Sequence, residues 1–144
     1  MNRGPCPGSA YAWPVPIERI NPDSLPQPGS LYSMISLAPA GARLAAISGQ
    51  LGWTAGADPK TECLTTFSAV RKACGSIGAE PADILHMRTL LVGRDMHEAF
   101  VAARAEVFAE WYGAAAPPSS TLAFVSGLAH PEARCEVEVL VAIG

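Results

Sequence analysis

Charge is scarce in this chain. Of 144 residues only 16% are charged, ten Lys or Arg against thirteen Asp or Glu, for a formal net charge of −3. The basic residues are scattered and form no run. A protein that tracks a nucleic-acid backbone needs clustered Lys and Arg to displace counterions, so no nucleic-acid partner is expected. Long apolar runs are missing as well. No stretch approaches the roughly 18 uncharged residues of a membrane-spanning helix, and no membrane partner is expected. Pro5, Pro7, Pro14 and Pro16 break any apolar signal-peptide core, so the expected compartment is the cytoplasm. Cysteines number four, Cys6, Cys63, Cys74 and Cys135, with no CxxC pair and no His at ligand spacing. A zinc site needs three or four converging ligands. The cysteines therefore read as free thiols packed like small hydrophobes, and neither metal nor cofactor is expected. There is also no GxSxG elbow, and no His and Asp stand at a spacing that would support a serine nucleophile.

What the chain does have is apolar bulk, 49% of its residues. That excludes an intrinsically disordered protein. A chain of this length forms one domain and buries roughly 68–70% of its unfolded surface. The apolar content exceeds what a lone domain comfortably hides, which points to subunit contacts.

Seven of the thirteen prolines lie in residues 1–30. Each fixes φ and removes a donor, which excludes a helix or an inner strand there. Residues 1–30 read as an extended, proline-rich N-terminal arm, its first half mobile, and 31–144 as the folded domain. Leu31 to Leu37 and Arg43 to Leu51 read as a hairpin of two strands around the turn Pro39-Ala40-Gly41. Thr61 to Ile77 reads as a helix with Cys63, Phe67, Val70 and Cys74 on its buried stripe. A third strand spans Ile84 to Val92. Asp95 is placed to cap a second helix, Met96 to Tyr112, with Phe100, Val107 and Trp111 inward and Gly113 at its end. Strands at Ser120 to Leu128 and Cys135 to Ile143 complete the order β-β-α-β-α-β-β. Two one-striped helices cover one face of a mixed sheet. Along the last strand Cys135, Val137, Val139 and Val141 alternate with Glu136, Glu138, Leu140 and Ala142. Neither face is fully polar, so the face without helices is expected to pack against other subunits.

Among residues able to carry chemistry, Glu136 and Glu138 point to one side of an apolar strand. A carboxylate in such surroundings has its pKa raised and serves as acid or base near neutral pH. An edge salt bridge is the plainer role, and burying both would set like charges side by side. Ser119, Ser120 and Thr121 follow Pro117-Pro118 at a strand entrance, where hydroxyls bind a carboxylate, hold a water or satisfy turn backbone. Gly49, in Ser48-Gly49-Gln50, permits close approach of a ligand to the backbone. Trp53 serves as a pocket wall or as packing. Tyr32 brings a hydroxyl to the start of the first strand. His86, His97 and His130 have no partner identifiable from spacing.

Taken together, the Tyr32-Ser33 strand start, Ile47-Ser48-Gly49-Gln50, the helix end near Gly78-Ala79, LLVGRDM from Leu90, AEVFAEWYG ending at Gly113 and PEARCEVEVLVA from Pro131 resemble the Rid family, the YjgF-like enamine/imine deaminases. The resemblance implies a chorismate-mutase-like α/β fold and a homotrimer with clefts between subunits. It implies a glutamate at Glu136 that positions the attacking water, a cleft glycine at Gly49 and a cleft tyrosine at Tyr32. The family's carboxylate-binding arginine falls on Ser119, and the asparagine often found on the second helix falls on Ala105. A hydroxyl is no substitute for a bidentate guanidinium. The expected activity is therefore acid/base chemistry by Glu136 on a small enamine- or imine-type substrate, other than ordinary 2-imino acid deamination, in a specialised biosynthetic pathway. Ser119, Thr121 and Trp53 join Tyr32 and Gly49 as the expected substrate contacts. The alternative is a non-catalytic, ligand-sensing or protein-binding trimer. Ordinary deamination remains open if Arg104 or Arg134, each read as solvent-exposed, replaces the lost arginine.

Overall fold

Alternation along the C-terminal strand sets the layering. Cys135, Val137, Val139 and Val141 are buried against the helices, while Glu136, Glu138 and Leu140 point the other way and are half-buried. The computed structural model describes residues 16–29 and 31–144. In chain order its elements are β1 (Glu18–Ile20), β2 (Ile35–Leu37), β3 (Arg43–Leu51), α1 (Pro59–Gly75), a 3-10 turn (Pro81–Asp83), β4 (Ile84–Val92), α2 (Met96–Tyr112), β5 (Ser119–Val125) and β6 (Cys135–Ile143). The main sheet runs β3-β6-β4-β5. Strands β4 and β5 are parallel, joined by the α2 crossover that parallel strands require, and the other pairs are antiparallel.

Both helices lie on one face of this sheet. Their seam is aromatic: Phe67 of α1 stacks on Phe100 of α2 at 5.6 Å and meets Phe108 and Trp111 edge-on. Cys63, Cys74 and Cys135 are buried free thiols in this core. Trp111 is only half-buried and packs at its margin. Among the described residues, no helix is long and apolar enough to cross a membrane.

The sequence-based hairpin does not form. β2 pairs instead with β1, Ile35 opposite Ile20 and Leu37 opposite Glu18, and β3 pairs with β6. The proline arm contains a proline-free stretch, Ile17 to Asn21, and this supplies the unforeseen strand. Arg19 within it clamps onto the domain. Its guanidinium donates to Ser36 Oγ and to the Ile84 carbonyl, each at 2.7 Å. The expectation of a mobile first half falls on residues outside those described. The other boundaries differ less. β2 is shorter than expected because Ser33 turns to bond Pro117 and Pro118. α1 begins two residues early, at Pro59, because Asp58 is its cap and accepts from the Thr61 amide at 3.1 Å. Those Thr61 hydrogen bonds hold the Asp58 carboxyl below its ordinary pKa. Asp95 does not cap α2; its carboxylate is taken by Arg134 at 2.6 Å.

One buried polar tie escaped the sequence reading. Glu62 on α1 is 5% exposed, and its Oε1 accepts from the amides of Arg134 (2.7 Å) and Cys135 (3.1 Å). It joins α1 to the start of β6 and satisfies two donors that would otherwise each cost about 1–3 kcal/mol.

Candidate functional site

Glu136 lies on the face of the sheet without helices, and β3 bends to make room for it. The β3–β6 register shifts between Ile47 and Gln50, a bulge that contains Gly49. A Cβ on Gly49 would collide with the Glu136 carboxylate and come within 2.7 Å of its Cγ. The glutamate therefore occupies the space that the glycine leaves empty. Its strand neighbours across the sheet are Leu51 and Leu90. Its carboxylate has no hydrogen-bond or ion-pair partner among the described residues. Glu138, two positions on, differs: Arg88 Nε pairs with it at 3.1 Å across β4 and β6. One carboxylate of the two is thus neutralised and the other is left free. Arg88 and Glu138 border an open cavity of about 280 Å³ with Ala46, Ser48, His86 and Leu140.

Ser119 sits at the far corner of the same face. It is level with His86 in the parallel β4–β5 register, and His86 Nδ1 lies 2.8 Å from its Oγ. The hydroxyl donates to the Leu85 carbonyl at 3.2 Å, so the imidazole N–H is the donor in the first bond. The Ser119 amide donates to Ser36 Oγ. The hydroxyl foreseen as a substrate contact is thus occupied within the chain. His86, which spacing left without a partner, finds one only through the strand register. Thr121 is exposed on edge strand β5 opposite Arg88.

Trp53 follows β3 just past the Leu51–Glu136 pair and stacks on His130, ring centroids 4.3 Å apart. Tyr32 is half-buried at the opposite edge. The next residue, Ser33, bridges to Ser119 and donates its hydroxyl to the Pro117 carbonyl. The two arginines expected to be solvent-exposed differ: the Arg134 side chain keeps 35% exposure, while Arg104 is buried. Arg134 is held by Asp95 and the Val92 carbonyl. Arg104 is only 9% exposed and lies over the Phe100 ring at 5.4 Å.

Within one chain the candidate residues form two separate groups. Ser119 is level with His86 and Leu140, whereas Glu136 is level with Leu90 and Ala123. Four residues along the strands and two strands across amount to roughly 16 Å between their backbones. Glu136, Gly49 and Trp53 stand at one end; Ser119 and Tyr32 stand at the other.

A family model described as Endoribonuclease L-PSP matches residues 26–143, nearly the whole chain. The chain belongs to the YjgF/Rid family. The conserved Rid protein YyfB from Yersinia pestis shares the fold at a TM-score of 0.75 and 24% identity, over 90% of this chain and 100% of that one. Escherichia coli TdcF, solved with bound serine, superimposes at 0.64 and 17% identity, over 78% of this chain and 88% of its own. Rv2704 of Mycobacterium tuberculosis, a YjgF/YER057c/UK114 member, gives 0.59 at 20% identity, over 78% and 86%. No match was found among curated protein sequences. The Rid family includes enamine/imine deaminases, and the likeness to these structures extends to two helices on one face of a mixed sheet.

Proposed function

We propose that this Rid protein is an enzyme that acts on a small enamine- or imine-type molecule in clefts between the subunits of a homotrimer. The observation that carries the reading is the unpaired Glu136 carboxylate, seated over Gly49 among apolar side chains on the uncovered sheet face. A carboxylate so placed exchanges a proton with an enamine carbon or imine nitrogen, or orients the water that adds to the C=N bond. The separation of the two residue groups within one chain supports a shared, trimeric arrangement. A ring of three identical head-to-tail contacts brings the Glu136 end of one copy to the Tyr32 edge of the next. The uncovered face suits such a contact, for Leu44 is 58% exposed there beside Ala46 and Leu140. Ser119 in the place of the family's arginine supports a substrate held otherwise than in ordinary 2-imino acid deamination, and the role proposed is in a specialised biosynthetic pathway. The scattered basic residues fit a small-molecule substrate better than a nucleic acid.

The test has two readouts. Incubation with a panel of freshly generated enamines and imines, followed by release of ammonia or disappearance of their absorbance, shows turnover of at least one compound. Saturable binding across the panel without any product identifies a ligand-sensing or partner-binding trimer instead. In parallel, light scattering gives a mass of three times 15.0 kDa, and Leu44→Lys reduces it to that of a single chain. A wild-type protein that is monomeric at micromolar concentration contradicts the shared cleft.

A further inference from the structure

His86 owes its direction to a second bulge. On β4, Ile84 pairs with Val141 and His86 with Leu140, so Leu85 is an extra residue opposite β6. Ile84 and Met87 are both fully buried, although three positions separate them. Without the extra residue, His86 would share the side of Ile84, beneath the helices. With it, the imidazole joins Glu138 and Leu140 on the uncovered face, half-buried at the cavity of about 280 Å³. The ring is also locked. Ser119 donates its amide to Ser36 Oγ at 2.8 Å and its hydroxyl to the Leu85 carbonyl at 3.2 Å. Arg19 holds Ser36 in turn. The Ser119 oxygen then accepts from His86 Nδ1–H at 2.8 Å. A neutral imidazole that donates from Nδ1 carries an unprotonated Nε2. That nitrogen has no hydrogen-bond partner among the described residues and is not one of their fully buried polar atoms, so its lone pair opens on the cavity.

We infer that His86 is a second catalytic residue of the proposed reaction, a base through Nε2, and that Ser119 is its positioning residue. The inference rests on the proposed cleft, where the Ser119 edge of one copy faces Glu136 of the next. Within one chain His86 and Glu136 are four residues and one strand apart, roughly 14 Å between backbones, with the Arg88–Glu138 pair between them. The two therefore serve one substrate only across a subunit boundary. Hydrolysis of an iminium, the protonated imine, needs proton transfers at two atoms. Water bonds to the carbon of the C=N group, and its proton passes to His86 Nε2. The imidazolium returns that proton to the nitrogen as the C–N bond breaks, while the hydroxyl proton passes to the Glu136 carboxylate. A carbonyl product and ammonia leave, and the carboxyl proton departs with the ammonia as ammonium. One water is consumed and no other co-reactant is needed.

His86→Asn tests this most sharply. Its amide replaces the Nδ1–H donor to Ser119 and removes Nε2. The melting temperature stays near that of the wild type, while kcat falls about 10²- to 10⁴-fold on the compounds turned over. In His86→Ala, added imidazole fills the vacated space and restores activity in a saturable way; it restores none to Glu136→Gln. A histidine with only a structural role shows no such rescue. Ser119→Ala loses a smaller factor in kcat at unchanged KM. Nitrogen-15 spectra of its His86 ring show both neutral tautomers, where the wild type shows Nδ1–H alone. Absence of imidazole rescue, or a neutral wild-type ring protonated at Nε2, overturns the inference. Lost activity in Glu136→Gln beside full activity in His86→Asn removes His86 from the chemistry and leaves the proposed function standing. A wild-type protein inert toward every compound ends both.

Discussion

Glu136→Gln lowers kcat on the compounds the enzyme turns over by about 10²- to 10⁴-fold, the usual worth of a positioned proton donor or acceptor. The substitution keeps shape and removes only the ionisable oxygen. Because this carboxylate has no partner to lose among the described residues, thermal stability changes little. Glu138→Gln is the matched control. Its carboxylate is already neutralised by Arg88 and partly exposed, so the loss stays within about threefold. Gly49→Ala reaches the same carboxylate by another route. The new methyl group must displace the Glu136 side chain, and kcat falls without any change of charge. Should Glu136→Gln keep full activity on every compound, Glu136 is no acid or base.

The largest structural effect is expected at Gly52. This buried glycine leaves β3 directly against the backbone of α1. An added Cβ would run into the Thr66 amide nitrogen and sit 2.5 Å from the Glu62 carbonyl oxygen and 2.7 Å from the Thr65 carbonyl carbon. Helix backbone cannot rotate aside as a side chain can, so the whole of α1 must shift from the core. Gly52→Ala is expected to cost about 4 kcal/mol, beyond ordinary overpacking. For a domain of this size the melting temperature drops by roughly 10 °C. Gly75→Ala, where the Cβ meets open space in helical backbone, raises stability by up to about 1 kcal/mol. A Gly52→Ala protein that melts with the wild type would show that α1 does not lie where it is described.

How much of this was legible in the chain depended on the range of the interaction. Period-2 and period-3.6 apolar patterns placed β3, β4, α1, α2 and β6 within about two residues, because each reports a local face. Pairing was misread. The turn Pro39-Ala40-Gly41 suggests a hairpin, but β3 finds nine apolar-rich residues on β6, and β2 is left to a strand hidden among prolines. Gly49 was singled out for ligand approach, and the fold gives it a more definite task, since its missing side chain houses Glu136. The Glu62 tie, the His86–Ser119 bond and the burial of Arg104 were invisible, because each joins residues far apart in sequence. Nothing in the local pattern around Arg104 separates it from a solvated helix arginine; its burial, over the Phe100 ring, emerges only in the packed fold.

The shared cleft is tested most directly by mixing two variants that are inactive alone. Tyr32→Ala in one chain spoils one wall, and Glu136→Gln in another spoils the opposite wall. After subunit exchange, confirmed by native mass spectrometry, one cleft in four is bordered by two intact walls, so about a quarter of wild-type activity returns. If mixed trimers form and activity does not return, both walls belong to a single chain or to no common site, and the cleft proposed here is wrong.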